Sequence, residues 1–303
     1  MRDRLFLPAA ATSLCLVSLS VLTAPALAAD TTWTRGAGTG NWTDTANWSA
    51  GVPVVGSNAV FAGNVGGDPN QLTVLAMDKI TFASGTSAGH SVIFQDWNVN
   101  AAGTFIEVQA ANAGHQIITL DRNGSGRSLT LKAGTSTVLN NGSGSLLVSS
   151  FLTGTNVLRN APGADSGLVV DGTGNTTVAG RGGSGGQFHL ADNTGGRLSI
   201  TKLGSGTLTL GGNNTHTGTT SVLAGTIRLT TALALQHSAF DTTGANGATA
   251  NLDITVAGTN GNLILGGLAG GVDLASANIT GFPSVTNLRL NPQFGRKIGR
   301  AHV

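Results

Sequence analysis

The chain has 303 residues, of which 10% are charged and 40% hydrophobic, and its 46 glycines are about twice the usual ~7%. Without residues 1–28 and 297–303, 12 of the 16 basic and 13 of the 14 acidic residues remain, so the formal net charge falls from +2 to −1. The apparent basicity belongs to the two ends, so the charge gives no argument for binding to nucleic acid or to an anionic membrane.

Residues 1–28 have the three parts of a secretory signal peptide. Arg2 and Arg4 give a positive start, residues 5–21 form a mostly apolar core, and Ala26-Leu27-Ala28 is a cleavage site of the A-x-A type. The alternative, a membrane anchor, is disfavoured because the apolar run is short and interrupted by Ser and Thr. The only cysteine, Cys15, lies in this segment, so the mature chain is predicted to have no disulfide or thiolate metal site.

Residues 29–83 form a tryptophan-rich block that contains Trp33, Trp42 and Trp48. Two interpretations of the rings are open. The first is an aromatic platform for sugars, with Trp42, Trp48 and the later Trp97 as candidate glycan contacts. The second is a cap that covers the first coil of a stack, whose unpaired strand edge would otherwise invite aggregation. We favour the cap, which makes residues 29–83 an N-terminal cap with the first coils.

Apolar and polar residues alternate with a period of two through most of the remaining chain, which predicts strands with one buried and one solvent-facing side. Turn dipeptides such as Asn123-Gly124 and Asn141-Gly142 separate these strands. Residues 232–240 are the only segment with a helical pattern. The predicted strands are 72–74, 79–82, 91–94, 117–120, 128–131, 145–148, 168–170, 197–200, 207–210, 221–224, 226–229, 252–256, 263–265 and 272–274.

The clearest pattern runs from residue 202 to residue 229 and reads KLGSGTLTLGGNNTHTGTTSVLAGTIRL. It resembles the passenger-associated, or autotransporter-associated, β-strand repeat, although His216 stands where that family usually has Tyr. The resemblance implies a right-handed parallel β-helix displayed by a bacterial cell-surface protein, with no catalytic residues. The residues that carry the resemblance are Lys202, Gly204, Gly206, Thr207, Leu208, Leu210, Asn214, Thr215, Gly218, Ala224, Gly225, Thr226 and Ile227.

No linker interrupts the pattern, so we predict an all-β fold with one elongated domain, a β-solenoid in which residues 84–296 follow the cap. At ~20–25 residues per coil, about 267 residues give ~11–13 coils, or ~55 Å at ~4.8 Å per rung. Uncharged polar residues suit such a stack, because like charges on adjacent rungs repel while Thr and Asn side chains can hydrogen bond along it.

The end of the chain, residues 297–303, matches the translation of a common sequencing adapter, which in this frame reaches a stop codon after the final valine. This match predicts a non-native tail and a natural protein that continues beyond Arg296 with its C-terminal anchor. The alternative is a natural basic tail, and an in-frame native stop codon after Val303 would establish it.

No cofactor or metal site is predicted. Asp165-Ser166-Gly167 is similar to the sequence around a trypsin-like nucleophile, but the histidines lack the context of a triad, so we favour a turn into the next strand. The histidines also lack the spacing of metal ligands. They are expected on the solvent-facing side or in turns, and they are His90, His115, His189, His216 and His237.

An enzyme is the weaker alternative and depends on coil periodicity. The interval from Asp171 to Asp192 nearly equals that from Arg159 to Arg181, so each pair would stack on one face if a coil had that length. Two carboxyls about 5–10 Å apart satisfy the geometry of glycosidase chemistry, and a carbohydrate-active β-helix would use them as a lyase or glycosidase. The competing interpretation is a set of solvated turn charges, which we favour.

The favoured function is therefore a secreted bacterial β-helix passenger, exported as part of an autotransporter to the cell surface, outer membrane or medium. It is predicted to act as a non-enzymatic stalk or adhesin that contacts glycans or neighbouring cells, with no nucleic acid partner. Membrane contact would come only through the missing anchor. An alternative is a surface protein with the same repeat that is sorted by a C-terminal Pro-Glu-Pro signal.

Overall fold

A computed structural model of the chain describes residues 29–63, 70–75, 77–120, 126–150, 155–180, 187–245, 250–255, 262–272 and 276–291. The predicted signal peptide and the predicted non-native tail lie outside these residues. Within the described part of the chain, no helix is long and apolar enough to cross a membrane. Short 3₁₀ turns occur at Thr45–Asn47 and Phe282–Ser284.

The described strands pair in parallel and form two sheets, between which the chain alternates. This arrangement is a parallel β-solenoid, and it confirms the predicted all-β fold class. In spatial order the first sheet contains β1 (Thr31–Thr32), β2 (Asn58–Phe61), β4 (Lys79–Phe82), β6 (Gly103–Val108), β9 (Gly134–Asn140), β12 (Ser166–Asp171), β15 (Leu198–Lys202), β17 (Thr220–Val222), β19 (Leu235–Asp241), β21 (Asn262–Ala269) and β23 (Asn287–Leu290).

The second sheet divides at one long strand, β5 (Ser91–Asn98), into two rows of strands. We call them the main row and, counting the first sheet as another row, the third row. β3 (Asn70–Leu75) pairs with β5 outside both rows. Its first half, Ser91–Phe94, begins the main row, and its second half, Trp97–Asn98, begins the third row. The main row continues with β7 (Gln116–Leu120), β10 (Ser145–Ser150), β13 (Asn175–Val178), β16 (Thr207–Leu210), β18 (Gly225–Leu229), β20 (Ala250–Asp253) and β22 (Ile279–Thr280). The third row continues with β8 (Ser128–Thr130), β11 (Thr155–Arg159) and β14 (Gln187–Ala191), and β14 ends it.

The length of a coil changes where the third row ends. Val138, Val170 and Lys202 lie over one another in the first sheet at equal intervals of sequence. Val222, on the next rung, follows Lys202 after a much shorter stretch of chain. We call the coils of the first kind wide coils and the coil from Lys202 to Val222 the narrow coil. The predicted coil length is too short for the wide coils, because each of these contains a strand of the third row. The eleven strands of the first sheet span ~48 Å at ~4.8 Å per rung.

The core lies between the sheets and follows from the alternation of the sequence. In β12 and β15 every second residue is buried and those between are partly exposed. Inward side chains stack in register from rung to rung, as Leu208, Ile227 and Leu252 do, and each of these three is 0% exposed. Burial of one such side chain stabilises the fold by ~1.5–3 kcal/mol, which allows a stack of coils to hold together without disulfides.

The predicted helix at residues 232–240 is wrong. The structure has a turn there followed by β19, which pairs with β17 and β21. The register of β19 shifts between Leu235 and Ala239, and this irregularity leaves Leu235, Ser238 and Ala239 buried. Buried positions at i, i+3 and i+4 have the spacing of a helix face, so a bulged strand gave a helical pattern in the sequence.

Candidate functional site

The outer face of the main row carries a regular series of polar side chains around the repeat. Thr177, Thr209 and Arg228 lie over one another in register, and beside them Thr207 lies over Thr226. The amide of Thr207 donates to Asn175 Oδ1 at 3.1 Å, so Asn175 extends the column of Thr207 and Thr226 by one rung. We call the set of outward residues the polar ladder: Asn175, Thr177, Thr207, Thr209, Thr226, Arg228, Asn251 and Asp253.

The charges of the polar ladder neutralise each other. Arg228 Nε donates to Asp253 Oδ2 at 2.8 Å, and Asp253 is only 8% exposed. Burial alone would raise the pKa of the Asp253 carboxyl, but hydrogen bonds from Arg228 and Thr255 outweigh burial and lower the pKa. The ladder therefore offers a nearly neutral surface of hydroxyl and amide groups, which can form hydrogen bonds without selecting strongly for one sign of charge.

Lys202, the last residue of β15 in the first sheet, is an inward residue of the repeat and is 1% exposed. It lies between Val170 and Val222, and its Nζ donates to the carbonyls of Leu203 and Gly204, the latter at 2.9 Å. Burial lowers the pKa of the ammonium to about 8, against the opposing effect of Asp171. The role of Lys202 is thus structural, since the charged group closes the turn that leads into β16.

The loop that follows β16 is held by buried polar side chains. Asn214 Nδ2 donates to Ala234 O at 2.9 Å, and Asn214 Oδ1 accepts from Leu190 N at 2.9 Å. His216 is 1% exposed, and its Nε2 lies 3.3 Å from Thr220 Oγ1. Burial lowers the pKa of His216 to about 4, although Asp192 opposes the shift.

Solvent exposure is wrong for three of the histidines, although His90 and His216 lie in loops, one of the two positions expected for them. His90, His189 and His216 are buried, with at most 7% exposure. The ring nitrogens of His90 and His189 contact loop carbonyl oxygens, as in the 2.7 Å contact of His189 Nδ1 with Asn213 O, whereas that of His216 contacts the Thr220 hydroxyl at the start of β17. His115 is exposed, as expected. Among the described residues, no three His, Cys, Asp or Glu side chains are grouped as metal ligands.

The structure places the candidate glycan contacts in the core. Trp42 is 1% exposed, Trp48 4% and Trp97 0%. The Trp42 and Trp48 rings pack edge to face at 4.6 Å, and Trp48 Nε1 donates to Trp42 O at 2.7 Å. Together with Trp33 they cover Phe61 at the N-terminal end, which is the position expected of the cap. None of these three candidate rings has a face open for a sugar to stack on.

The structure does not stack the two aspartates of the enzyme hypothesis. Asp171 ends β12 in the first sheet, with Leu139 as its register partner, whereas Asp192 follows β14 in the third row. The interval between them falls short of a full turn, because the coil that contains both runs from Val170 to Lys202. Asp192 accepts hydrogen bonds from Leu198 N and Thr217 N. Arg181 lies outside the described residues.

The Asp-Ser-Gly segment has the structural role that was favoured for it. Asp165 Oδ1 accepts from Arg197 N at 2.8 Å, and Ser166 Oγ donates to Lys132 O at 2.9 Å. Ser166 is 3% exposed, so its hydroxyl is part of the contacts between coils.

A surface cleft of about 270 Å³ lies beside the ladder, at the C-terminal ends of β13, β16 and β18. Sequence reasoning missed it, because a cleft made by small residues on three successive rungs has no local motif. The only sign in the sequence is the run of glycines after two of these strands. The cleft is lined by Ala179, Gly180, Phe188, Gly211, Gly212, Asn213, Thr230 and Thr231.

Comparison with known families identifies one segment of the chain. The family described as the passenger-associated transport repeat matches residues 200–229, which comprise the end of β15, β16, β17 and β18. No curated protein and no solved structure matches the chain significantly. The repeat and the parallel solenoid together fit an autotransporter passenger that carries this repeat.

Proposed function

We propose that this chain, a parallel β-solenoid with one passenger-associated transport repeat, is displayed at the bacterial cell surface and acts there as a non-enzymatic stalk or adhesin. The observation that carries the proposal is the position of the repeat. Its strands β16 and β18 supply four residues of the polar ladder on the outside, while its inward residues Leu208 and Ile227 continue the core. The repeat thus both extends the stack and presents a surface.

The polar ladder is the surface that we propose for contact with glycans. Hydroxyl and amide groups recur at the ~4.8 Å spacing of the rungs, and a glycan chain presents hydroxyls along its length. The neutral Arg228–Asp253 pair avoids strong repulsion of either acidic or neutral glycans. The Trp rings do not contribute, because they are buried in the cap and the core.

Glycan binding is tested by removing three hydroxyls from the ladder. The triple variant Thr207→Val, Thr209→Val and Thr226→Val keeps β-branched side chains, so the strands should persist. If each hydroxyl contributes a hydrogen bond worth ~1 kcal/mol, affinity on a glycan array falls by about 100-fold. The matched control is Thr135→Val, Thr137→Val and Thr201→Val on the outer face of the first sheet, which should bind like the unmodified chain.

Equal loss of binding in both triple variants would contradict the ladder as the contact surface. If the parent chain and both variants all fail to bind glycans, the stalk remains the proposed role. Protease accessibility on intact cells would then test whether the chain is displayed at the surface.

A full-length gene sequence distinguishes an autotransporter from a protein sorted by a Pro-Glu-Pro signal, since the two differ in their C-terminal segments.

A further inference from the structure

The outer face of the third row differs from the polar ladder in how its arginines are paired. Leu158 of β11 points inward and is 2% exposed, while Arg159 is half-buried on the outer side and lies over Thr130. The arginine of the ladder, Arg228, contacts the Asp253 carboxylate at 2.8 Å. Among the described residues, Arg159 has no such contact with a carboxylate.

Two hydroxyl groups hold the guanidinium of Arg159. Its Nε donates to Thr130 Oγ1 at 3.3 Å, and its Nη2 donates to Ser128 Oγ at 3.2 Å. Both hydroxyl residues lie on the preceding rung and are at most 8% exposed, so a buried part of the row sets the position of the guanidinium. These bonds use two of its five N–H groups and bring no negative charge to it.

The one described carboxylate in the same hydrogen-bonded network already has partners. Asp96 Oδ1 accepts from Ser128 N at 2.7 Å, and Asp96 Oδ2 accepts from Arg127 Nη1 at 3.4 Å. We call Asp96, Arg127, Ser128, Thr130 and Arg159 the third-row network. Two of these residues are positive and one is negative, so the network carries an excess of positive charge.

The residues around the network add a cation and an amide. Leu131 N donates to Arg159 O, and the residue that follows, Lys132, is exposed. On the preceding rung, Asn98 lies over Thr130 and is exposed too. A half-buried guanidinium with unused donors and no counter-ion favours an anion, because hydrogen bonds between charged groups are about twice as strong as those between neutral groups.

We propose that the third-row network binds a carboxylate of an acidic glycan, which Arg159 contacts directly. A planar guanidinium matches a carboxylate with two parallel hydrogen bonds, and the Asn98 amide suits the hydroxyls of the sugar. An anionic membrane fits less well, because binding to it through charge takes clusters of about 4–8 Lys or Arg residues. The described face of this row offers only Arg127, Lys132 and Arg159. The site is separate from the polar ladder and does not depend on it.

Calorimetry with the exported chain and polygalacturonate at low salt tests this inference, with dextran as the neutral comparison. Arg159→Gln should weaken binding by about 10-fold or more, since a charge-assisted hydrogen bond is lost. Arg159→Lys should recover part of the affinity, because an ammonium keeps the charge but cannot form the two parallel bonds. The matched control is Arg289→Gln, which removes the same charge from an exposed position on β23 and should bind like the parent chain.

Asp96→Asn covers the case in which Arg159→Gln unfolds the third row. The amide has the shape of the carboxylate and its oxygen can still accept from Ser128 N, but the negative charge is gone. Affinity for polygalacturonate should therefore rise by ~3-fold or more. A purely structural network predicts no such gain, so unchanged or weaker binding in Asp96→Asn would overturn the proposal.

Three further results would also overturn it: no binding of polygalacturonate by the parent chain, equal binding of dextran, or an equal loss in Arg159→Gln and Arg289→Gln. Tighter binding to phosphatidylglycerol vesicles than to polygalacturonate would assign the site to a membrane instead. The triple variant of the polar ladder should bind polygalacturonate like the parent chain. Failure of the ladder as a contact surface and failure of this site are thereby distinguished.

Discussion

The wide coils and the narrow coil of the repeat enclose the same kind of core with very different lengths of chain. The wide coil that returns to the same column runs from Val170 to Lys202, and the narrow coil runs only from Lys202 to Val222. The additional residues of each wide coil form a strand of the third row. In the narrow coil the loop of residues 211–219 takes the place of that strand.

The comparison shows what replaces a strand when a row of a sheet ends. β14 is the last strand of the third row, and its outer edge is covered by the loop. Asn214 accepts from Leu190 N, and Leu190 O accepts from the amides of Thr215 and His216. Buried backbone groups need partners wherever they lie, so the loop supplies the hydrogen bonds that a further strand would have made.

The largest effect is expected when the loop loses its bridging amide. Asn214→Ala leaves Leu190 N and Ala234 O without their partners, and each loss costs ~1–3 kcal/mol, so the free energy of unfolding should fall by about 2–6 kcal/mol. Urea denaturation measures this fall. Hydrogen exchange at β14 should also accelerate, because its edge is no longer covered.

The matched variant in a wide coil is Asn140→Ala. Asn140 is also buried and bridges coils, with Nδ2 donating to Asn175 O at 2.9 Å. Its neighbours β10 and β13 remain paired by their own ladder, so hydrogen exchange there should change little. If hydrogen exchange accelerates equally at β13 in Asn140→Ala and at β14 in Asn214→Ala, the prediction is contradicted. The edge of β14 would then depend on a side chain no more than the strands of the wide coils do.

A smaller loss of stability is expected at acid pH, and its source should be one residue of the narrow coil, His216. The folded state lowers the pKa of His216 from 6.5 to about 4, so it favours the neutral ring. The contribution of His216 to stability is fully present above pH 6.5 and is lost as the pH falls towards 4, with about 2 kcal/mol lost by pH 5. Thermal unfolding of His216→Phe should lack this loss. His115→Gln, which changes an exposed ring, should retain it, and a loss that persists in His216→Phe would exclude His216 as its source.

The smallest effect is expected from Lys202 at alkaline pH. Burial lowers the pKa of its ammonium from 10.5 to about 8, so the folded state releases this proton before the unfolded state does. Stability should therefore rise by about 1 kcal/mol between pH 8 and 9, since the unfolded chain still binds the proton there. Lys202→Met should abolish the rise in urea denaturation, and Lys132→Met, at an exposed position, should not. An unchanged rise in Lys202→Met would assign it to another group.

Several strands were predicted closely because their pattern is local. Residues 79–82 and 207–210 are strands β4 and β16 with the predicted bounds, and 226–229 lies within β18. β9 and β13 were missed, because Gly134–Asn140 and Asn175–Val178 are rich in Thr, Ser and Asn and have few apolar residues. These strands are stabilised by pairing with neighbours on both sides, which sequence alternation does not report.

The candidate site was predicted less well than the fold, because it depends on which residues lie over one another. The spacing of Asp171 and Asp192 had meaning only for a coil as short as the interval between them, and the third row makes the coil longer. The burial of His216 and of the Trp rings likewise depends on neighbouring coils. Nothing in the residues adjacent to them in the sequence separates a buried ring from an exposed one.

The sequence by itself determined that this chain builds stacked strands and where the repeat lies. The period of two follows from the pleat of a single strand, and the repeat is a contiguous segment, so both are visible without any tertiary contact. Only the tertiary structure decided the width of each coil, the end of the third row, the contents of the polar ladder and the burial of the tryptophan rings. These features arise from register between successive coils, which lie far apart in sequence, and register is set by how the turns close rather than by local alternation.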